Sequence, residues 1–128
     1  MPGRIPDEVR RFVLANIDSV AQLEALILLR AHSQHRWTCK DVAERIYITE
    51  KETAAVLGKL VARELIETET LEPRLYYYQP KNQDIAASID QLADTYSKYL
   101  VPVTNLIHQK PRRDLAEMAD AFRLKKKE

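Results

Sequence analysis

Two helix-start signals, eleven residues apart, limit the folds open to this chain more than any other feature. Thr38 is followed three positions later by Asp41, and Thr49 is followed at the same spacing by Glu52. A threonine at this spacing from an acidic residue caps a helix, because its side-chain oxygen accepts a backbone N–H of the first turn. Two short helices are therefore expected to begin here, with a sharp turn of two residues between them.

The apolar residues of both segments recur at helical spacing. Such a stripe is stable only when it is buried, and neither helix can bury its own stripe. The two helices are therefore expected to pack on each other as a helix-turn-helix. The stripes are Val42, Ala43 and Ile46 in the first helix, and Val56, Leu57, Leu60 and Val61 in the second.

A β-hairpin is expected after the second helix. Beyond Arg63 the pattern changes from a period of 3.6 to a period of 2, with Ile66, Thr68 and Thr70 on one side of a strand. Residues 75–79 are rich in aromatic residues, which favour strands, and a Leu-Glu-Pro-Arg turn precedes them. The run of three tyrosines fits a strand packed on the core better than a platform for nucleobases, which would need a strongly basic groove.

Helix, turn, helix and hairpin in this order resemble the winged helix-turn-helix of bacterial transcriptional regulators of the multiple-antibiotic-resistance-regulator type. The segment LGKLVARELI at 57–66 carries much of the resemblance, since that family often reads Leu-x-x-Leu-x-x-x-Gly-Leu-Ile there. Glu64 stands where the family has glycine, which adopts the left-handed conformation at a helix end without steric cost. Glu64 is therefore strained, or the helix ends differently. The resemblance implies a mostly α fold with a small β-hairpin wing.

Two helices are expected before this unit. Residues 7–17 form an amphipathic lead-in helix, and residues 20–31 are apolar nearly all round, which is typical of a helix in the core. Ser19 and Gln22 form a further capping box at the start of the second. Trp37 is expected in a short strand that completes the sheet.

Residues 81–109 return to the helical period with a seam at alternating spacings of four and three, as in a coiled coil. Two interpretations stay open: the seam forms a homodimer interface suited to a palindromic site, or it folds back over its own domain. Pro102 predicts a kink or a break near residues 98–102, and we expect the helix to bend rather than end. The seam consists of Ile85, Ile89, Leu92, Tyr96, Tyr99, Val103 and Leu106.

The chain is expected to divide into a winged domain at 1–80, a C-terminal helical extension at 81–124 and a charged tail at 125–128. Within the extension, a last helix is expected to follow Pro111. With 128 residues and 45% apolar content, one compact domain with an appended helical element is expected. No apolar run reaches the length of a membrane span and the start lacks a signal-peptide pattern, so we expect a cytoplasmic protein without membrane association.

The resemblance implies that duplex DNA is bound, with the second helix in the major groove. Lysines and Arg63 would contact phosphates, Arg74 would reach the minor groove from the wing, and Glu50 or Glu52 could accept from cytosine. Residues 1–79 carry 11 basic and 12 acidic side chains, a net charge of −1, which does not itself favour DNA binding. A winged-helix adaptor that binds a protein partner is the competing function. The candidate DNA-binding residues are Lys40, Thr49, Lys51, Glu52, Thr53, Ala55, Lys59, Arg63 and Arg74.

Other kinds of site find little support. His32, His35 and Cys39 lack a fourth metal ligand nearby, so no metal is expected. Cys39, the only cysteine, is expected to be a structural thiol rather than a redox-sensitive one. Two glycines cannot build a phosphate-binding loop and no nucleophile motif occurs, so neither an enzyme nor a cofactor is expected. The sequence identifies no effector ligand.

Overall fold

The computed structural model describes residues 4–109. The predicted last helix and the charged tail, residues 111–128, lie outside the described residues. The described part is mostly helical with a single hairpin, as the sequence predicts. In chain order the elements are α1 (Asp7–Asn16), α2 (Val20–Ala31), α3 (Cys39–Ile46), α4 (Glu50–Ala62), β1 (Ile66–Glu69), β2 (Leu75–Tyr78), α5 (Gln83–Lys98) and α6 (Leu100–Gln109).

The helix-turn-helix forms at the predicted positions. The Thr38 hydroxyl accepts the Asp41 N–H at 3.1 Å, which starts α3. The chain leaves α3 through Tyr47, whose φ of 61° lies in the left-handed region. The Ile48 N–H then returns to the Ala43 carbonyl at 3.3 Å, so that the turn is closed by a backbone hydrogen bond.

The wing is a two-stranded antiparallel sheet in which Ile66 lies opposite Tyr78. Trp37 extends this sheet by one residue, because its N–H and carbonyl both bond to Tyr76 at 2.8 Å. The expected third strand is thus a single bridge. Trp37 is only 5% exposed, so it also anchors the wing to the core.

α2 is the central helix, as its apolar composition predicts. It packs against α3, α4 and β2, and Leu23, Leu26 and Leu29 are fully buried. Its predicted capping box is only half formed: the Ser19 hydroxyl accepts the Gln22 N–H at 3.1 Å, but the Gln22 side chain bonds elsewhere. Taken singly, no helix within residues 4–109 is long and apolar enough to cross a membrane; α1 and α2 pass that test only as a pair bent by 109°, by length and composition.

The apolar seam of α5 and α6 faces its own chain. Five of its seven residues are at most 9% exposed, and α5 and α6 pack against α1 and against each other. Ile85 and Tyr99 are partly buried. Within one chain the seam therefore covers its own domain, and the homodimer interpretation stays a prediction. The buried members are Ile89, Leu92, Tyr96, Val103 and Leu106.

The helix breaks within residues 98–102, as predicted, but the expectation that it bends rather than ends was wrong. α5 stops at Lys98 and Tyr99 is non-helical, with φ −130° and ψ 56°. In a continuous helix, Pro102 would leave the Lys98 carbonyl without a donor and would crowd it. In the observed structure Pro102 instead lies in the first turn of α6, where no N–H is required.

Candidate nucleic-acid interface

The start of α4 is fixed by a complete capping box. The Thr49 hydroxyl accepts the Glu52 N–H at 3.0 Å, and the Glu52 carboxylate accepts the Thr49 N–H at 3.4 Å. Thr53 faces the interior: its side chain is fully buried and its hydroxyl donates to the Thr49 carbonyl at 2.8 Å. Thr49 and Glu52 are exposed to solvent although their side chains cap the helix. Thr53 is buried and its side chain is not accessible.

The outer face of α4 is exposed along its whole length and is built mostly from small residues. A Cβ placed on Gly58 would meet no atom within 4 Å, so the packing of this chain does not require a glycine there. Small side chains let another backbone approach a helix closely. The outer face consists of Lys51, Ala54, Ala55, Gly58, Lys59 and Ala62, at the spacing of one side of a helix.

Charges of both signs lie around this face. Lys51 and Lys40 are exposed, and Lys59 is about half exposed with its ammonium group 3.9 Å from an Asp18 carboxylate oxygen. Glu50 and Glu52 are exposed beside them in the first turn of α4. The face therefore offers donors for phosphates and acceptors for base amino groups without a strong net charge.

The C-terminal end of α4 is bonded to the segment between α1 and α2. The Arg63 guanidinium binds Asp18 at 2.9 Å and also donates to the Asn16 carbonyl. The Arg63 side chain is only 20% exposed, so this predicted phosphate contact is engaged inside the chain.

Glu64 follows in the left-handed conformation, with φ 63°. The Leu65 N–H bonds to the Leu60 carbonyl at 3.1 Å, and the Glu64 N–H bonds to the Val61 carbonyl at 2.9 Å. These two bonds form the Schellman motif that usually ends with glycine. Of the two possibilities that the sequence left open, the strained one is observed.

The wing tip presents Arg74 to solvent. Leu71, in the same loop, is 80% exposed. At the base of the wing, Arg36 lies over the Tyr77 ring at 4.0 Å, while Tyr76 is buried. The tyrosine run therefore alternates between core and surface, as expected for a strand.

Cys39 links the starts of α3 and α4, since its thiol donates to the Glu50 carbonyl at 3.2 Å. Burial, and secondarily the negative charge of Glu50, raise the pKa of the Cys39 thiol. A thiol with a raised pKa holds little reactive thiolate at neutral pH. This supports a structural role.

Trp37 lies among polar side chains at the edge of the wing. The imidazoles of His32 and His35 meet its ring edge-on, with centroid distances of 5.8 and 4.5 Å. Arg45 lies 5.4 Å from the same ring, and a cavity of about 400 Å³ adjoins the cluster. Within the part of the chain that the structure describes, no three histidine, cysteine or acidic residues are grouped closely enough to hold a metal ion.

No protein-family model matches the chain, and no curated protein matches it significantly in sequence. Solved structures do match. MepR, a transcription regulator of the Staphylococcus aureus multidrug efflux pump MepA, aligns with a TM-score of 0.52 at 17% identity, over 93% of this chain and 84% of MepR. MarR from E. coli aligns with a TM-score of 0.50 at 12% identity, over 93% and 85%. RV1404 from Mycobacterium tuberculosis aligns with a TM-score of 0.50 at 17% identity, over 94% and 83%.

This chain has the MarR-type winged-helix fold. Within that fold, α4 is the second helix of the helix-turn-helix and β1–β2 is the wing, as the sequence predicts. Lys51, Ala55 and Lys59 share the outer face of α4, and Arg74 lies at the wing tip. Thr53 and Arg63 are directed elsewhere.

Sequence reasoning missed two features of this region. One is the row formed by Ala54, Gly58 and Ala62, which a search for small residues at a spacing of four would have found. The other is Asp18, the partner of Arg63. Because 45 residues separate the two, no local pattern connects them.

Proposed function

We propose that this protein is a non-enzymatic transcriptional regulator that binds duplex DNA through α4 and the wing. The observation that carries the proposal is the outer face of α4, exposed along the helix within a MarR-type winged-helix fold. A helix-turn-helix places the N-terminal part of its second helix against base edges in the major groove.

The proposed DNA contacts are made by the candidate residues whose side chains are exposed to solvent. Lys40, Lys51 and Lys59 contact phosphates, and Arg74 reaches the minor groove from the wing tip. The small residues of the outer face allow the α4 backbone to come close to the bases. Thr49, Glu52 and Ala55 complete the proposed surface, from which Thr53 is excluded by its burial.

We also propose that the protein acts as a homodimer, so that two copies of α4 read two halves of a palindromic site. The seam of α5 and α6 is occupied within one chain, so the contact between copies uses neighbouring surface. Exposed apolar side chains are available there: Leu14 on α1 is 41% exposed, and Leu100 and Val101 on α6 are 55% and 63% exposed.

The test is a titration of a short labelled duplex of mixed sequence over a range of salt concentrations. We expect the logarithm of the affinity to fall linearly with the logarithm of salt, because counterions are released from phosphates. Replacing Lys51 and Arg74 together by alanine should flatten the slope by about 1 for each of the two side chains that neutralises a phosphate. Lys98→Ala is the matched control, since Lys98 is an exposed lysine on α5 that pairs with Asp94.

Two outcomes would contradict the proposal. One is the absence of salt-dependent binding by the wild-type protein, which would favour the adaptor function. The other is an equal slope for the double variant and Lys98→Ala, which would remove Lys51 and Arg74 from the interface.

A further inference from the structure

Arg63, the C-cap residue directly after α4, bonds to the joint between α1 and α2, which is formed by residues 16–19. Its guanidinium makes a charged hydrogen bond of 2.9 Å to Asp18 and a second bond to the Asn16 carbonyl. Arg63 and Asp18 are 20% and 21% exposed, so the pair is shielded from most of the solvent. A partly buried pair of this geometry is stronger than an exposed ion pair.

The joint between α1 and α2 is also held by hydrogen bonds of its own. Gln22 is 1% exposed, and its amide nitrogen donates to the Asn16 carbonyl at 2.9 Å. The Gln22 side-chain oxygen accepts the Asp18 N–H at 2.8 Å. The Asn16 carbonyl therefore accepts from both Arg63 and Gln22, and the joint cannot move without breaking these bonds.

A second hydrogen bond joins the C-terminal end of α4 to the segment before α5. The Glu64 carbonyl accepts the Lys81 N–H at 2.9 Å, and Lys81 lies just before α5. Because α1 and α5 pack against each other, the C-terminal end of α4 is attached at two points to one helical layer.

We propose that Arg63 and Asp18 are positioning residues, which set the direction in which α4 meets DNA without contacting the DNA themselves. This inference rests on the proposed function. α4 has 13 residues and is therefore about 20 Å long, so a tilt of about 10° at its C-terminal end moves its N-terminal end by about 3 Å. A shift of that size exceeds the tolerance of a hydrogen bond to a base or a phosphate.

The opposite role for Arg63, a direct phosphate contact, makes a different prediction about Asp18. If Asp18 acted only through charge, loss of its carboxylate would remove a repulsion toward phosphate and release both Arg63 and Lys59, whose ammonium group lies 3.9 Å from the same oxygen, and DNA affinity would rise. If the pair positions α4, the same loss lowers affinity although the protein becomes more positive.

The experiment compares Asp18→Ala, Arg63→Ala and the double variant in the duplex titration. We expect each single variant to bind about tenfold more weakly, the double variant to bind no more weakly than either, and the salt slope to stay unchanged. Arg63→Lys keeps the charge but not the two-pronged bond, and should recover only part of the affinity. Asp94→Ala on α5 removes the same charge from an exposed pair and should leave binding unchanged.

Circular dichroism and unfolding curves establish that each variant is folded. If Asp18→Ala does not fold, Asp18→Asn replaces it, because the amide keeps an oxygen acceptor for Arg63; a smaller loss of affinity is then expected. Equal or tighter binding by the Asp18 variant, or a salt slope that falls by about 1 in Arg63→Ala, would overturn the inference. If the wild-type protein binds no DNA, the proposed function fails instead, and the two failures are distinguishable.

Discussion

Within residues 4–109, Tyr47 and Glu64 hold the left-handed backbone conformation at helix ends, with φ of 61° and 63°. A side chain in this conformation costs roughly 1–2 kcal/mol, because its Cβ crowds the following carbonyl. The surrounding hydrogen bonds of each turn outweigh this cost. Each position is therefore a place where one substitution changes stability in a known direction.

Glu64→Gly should raise the free energy of unfolding by about 1 kcal/mol, because the steric cost exceeds the extra backbone entropy that glycine loses on folding. Urea denaturation measures the change. Glu64→Ala is the matched control: it removes the same carboxylate, including its exposed pair with Lys81, but keeps a Cβ. Stabilisation by alanine as large as that by glycine would show that charge, and not backbone strain, is responsible.

Cys39 should be alkylated slowly at neutral pH. Burial and the charge of Glu50 raise the pKa of its thiol, and only the thiolate is reactive. The pH midpoint of iodoacetamide labelling should therefore lie higher in the folded protein than in urea, and Glu50→Gln should move it down. A folded-state midpoint at or below the unfolded one would contradict this assignment.

At the scale of elements, helix starts were predictable because their signals are local. The caps Thr38 and Thr49 lie three residues from their partners, and both helices begin where expected. The break before α6 was not predictable from Pro102 alone, since proline fits both a kinked helix and a first turn. The placement of Arg63 was not predictable either, because its partner Asp18 is distant in sequence and the pairing depends on how α4 packs on α2.

Thr49→Ala should lower the free energy of unfolding by about 1 kcal/mol, because the Glu52 N–H loses its acceptor and the capping box is broken. Thr49→Ser keeps a capping hydroxyl and should lie close to the wild type. Thermal or urea unfolding of the two variants measures the difference. Equal stability of the alanine and serine variants would show that the capping bonds do not hold the start of α4.

For the whole molecule, the central question is whether the α5–α6 seam serves one chain or two. The period of the seam fits both, since the same stripe can face a neighbouring helix of either origin. The fold places it against α1 of its own chain, which the sequence could not decide. The proposed DNA surface then lies on α4 and the wing, while α1, α5 and α6 form the supporting layer.

Leu92→Ala tests this arrangement. Leu92 is fully buried, so its truncation should leave a cavity and lower the free energy of unfolding by about 2–5 kcal/mol, by the same amount at every protein concentration. Leu71→Ala, at an 80% exposed apolar site in the wing loop, should change stability by less than about 0.5 kcal/mol. A Leu92 variant with unchanged unfolding and weakened self-association would instead place the seam between two chains.

The most direct test of DNA binding by α4 and the wing is the set of backbone amide NMR signals that change when a duplex is added to isotope-labelled protein. We expect the largest changes in α4 between Glu50 and Ala62 and in the wing loop at Arg74, with small changes in α5. Large changes confined to α1, α5 or α6, or no changes at saturating duplex, would contradict the claim that α4 and the wing form the DNA-binding surface.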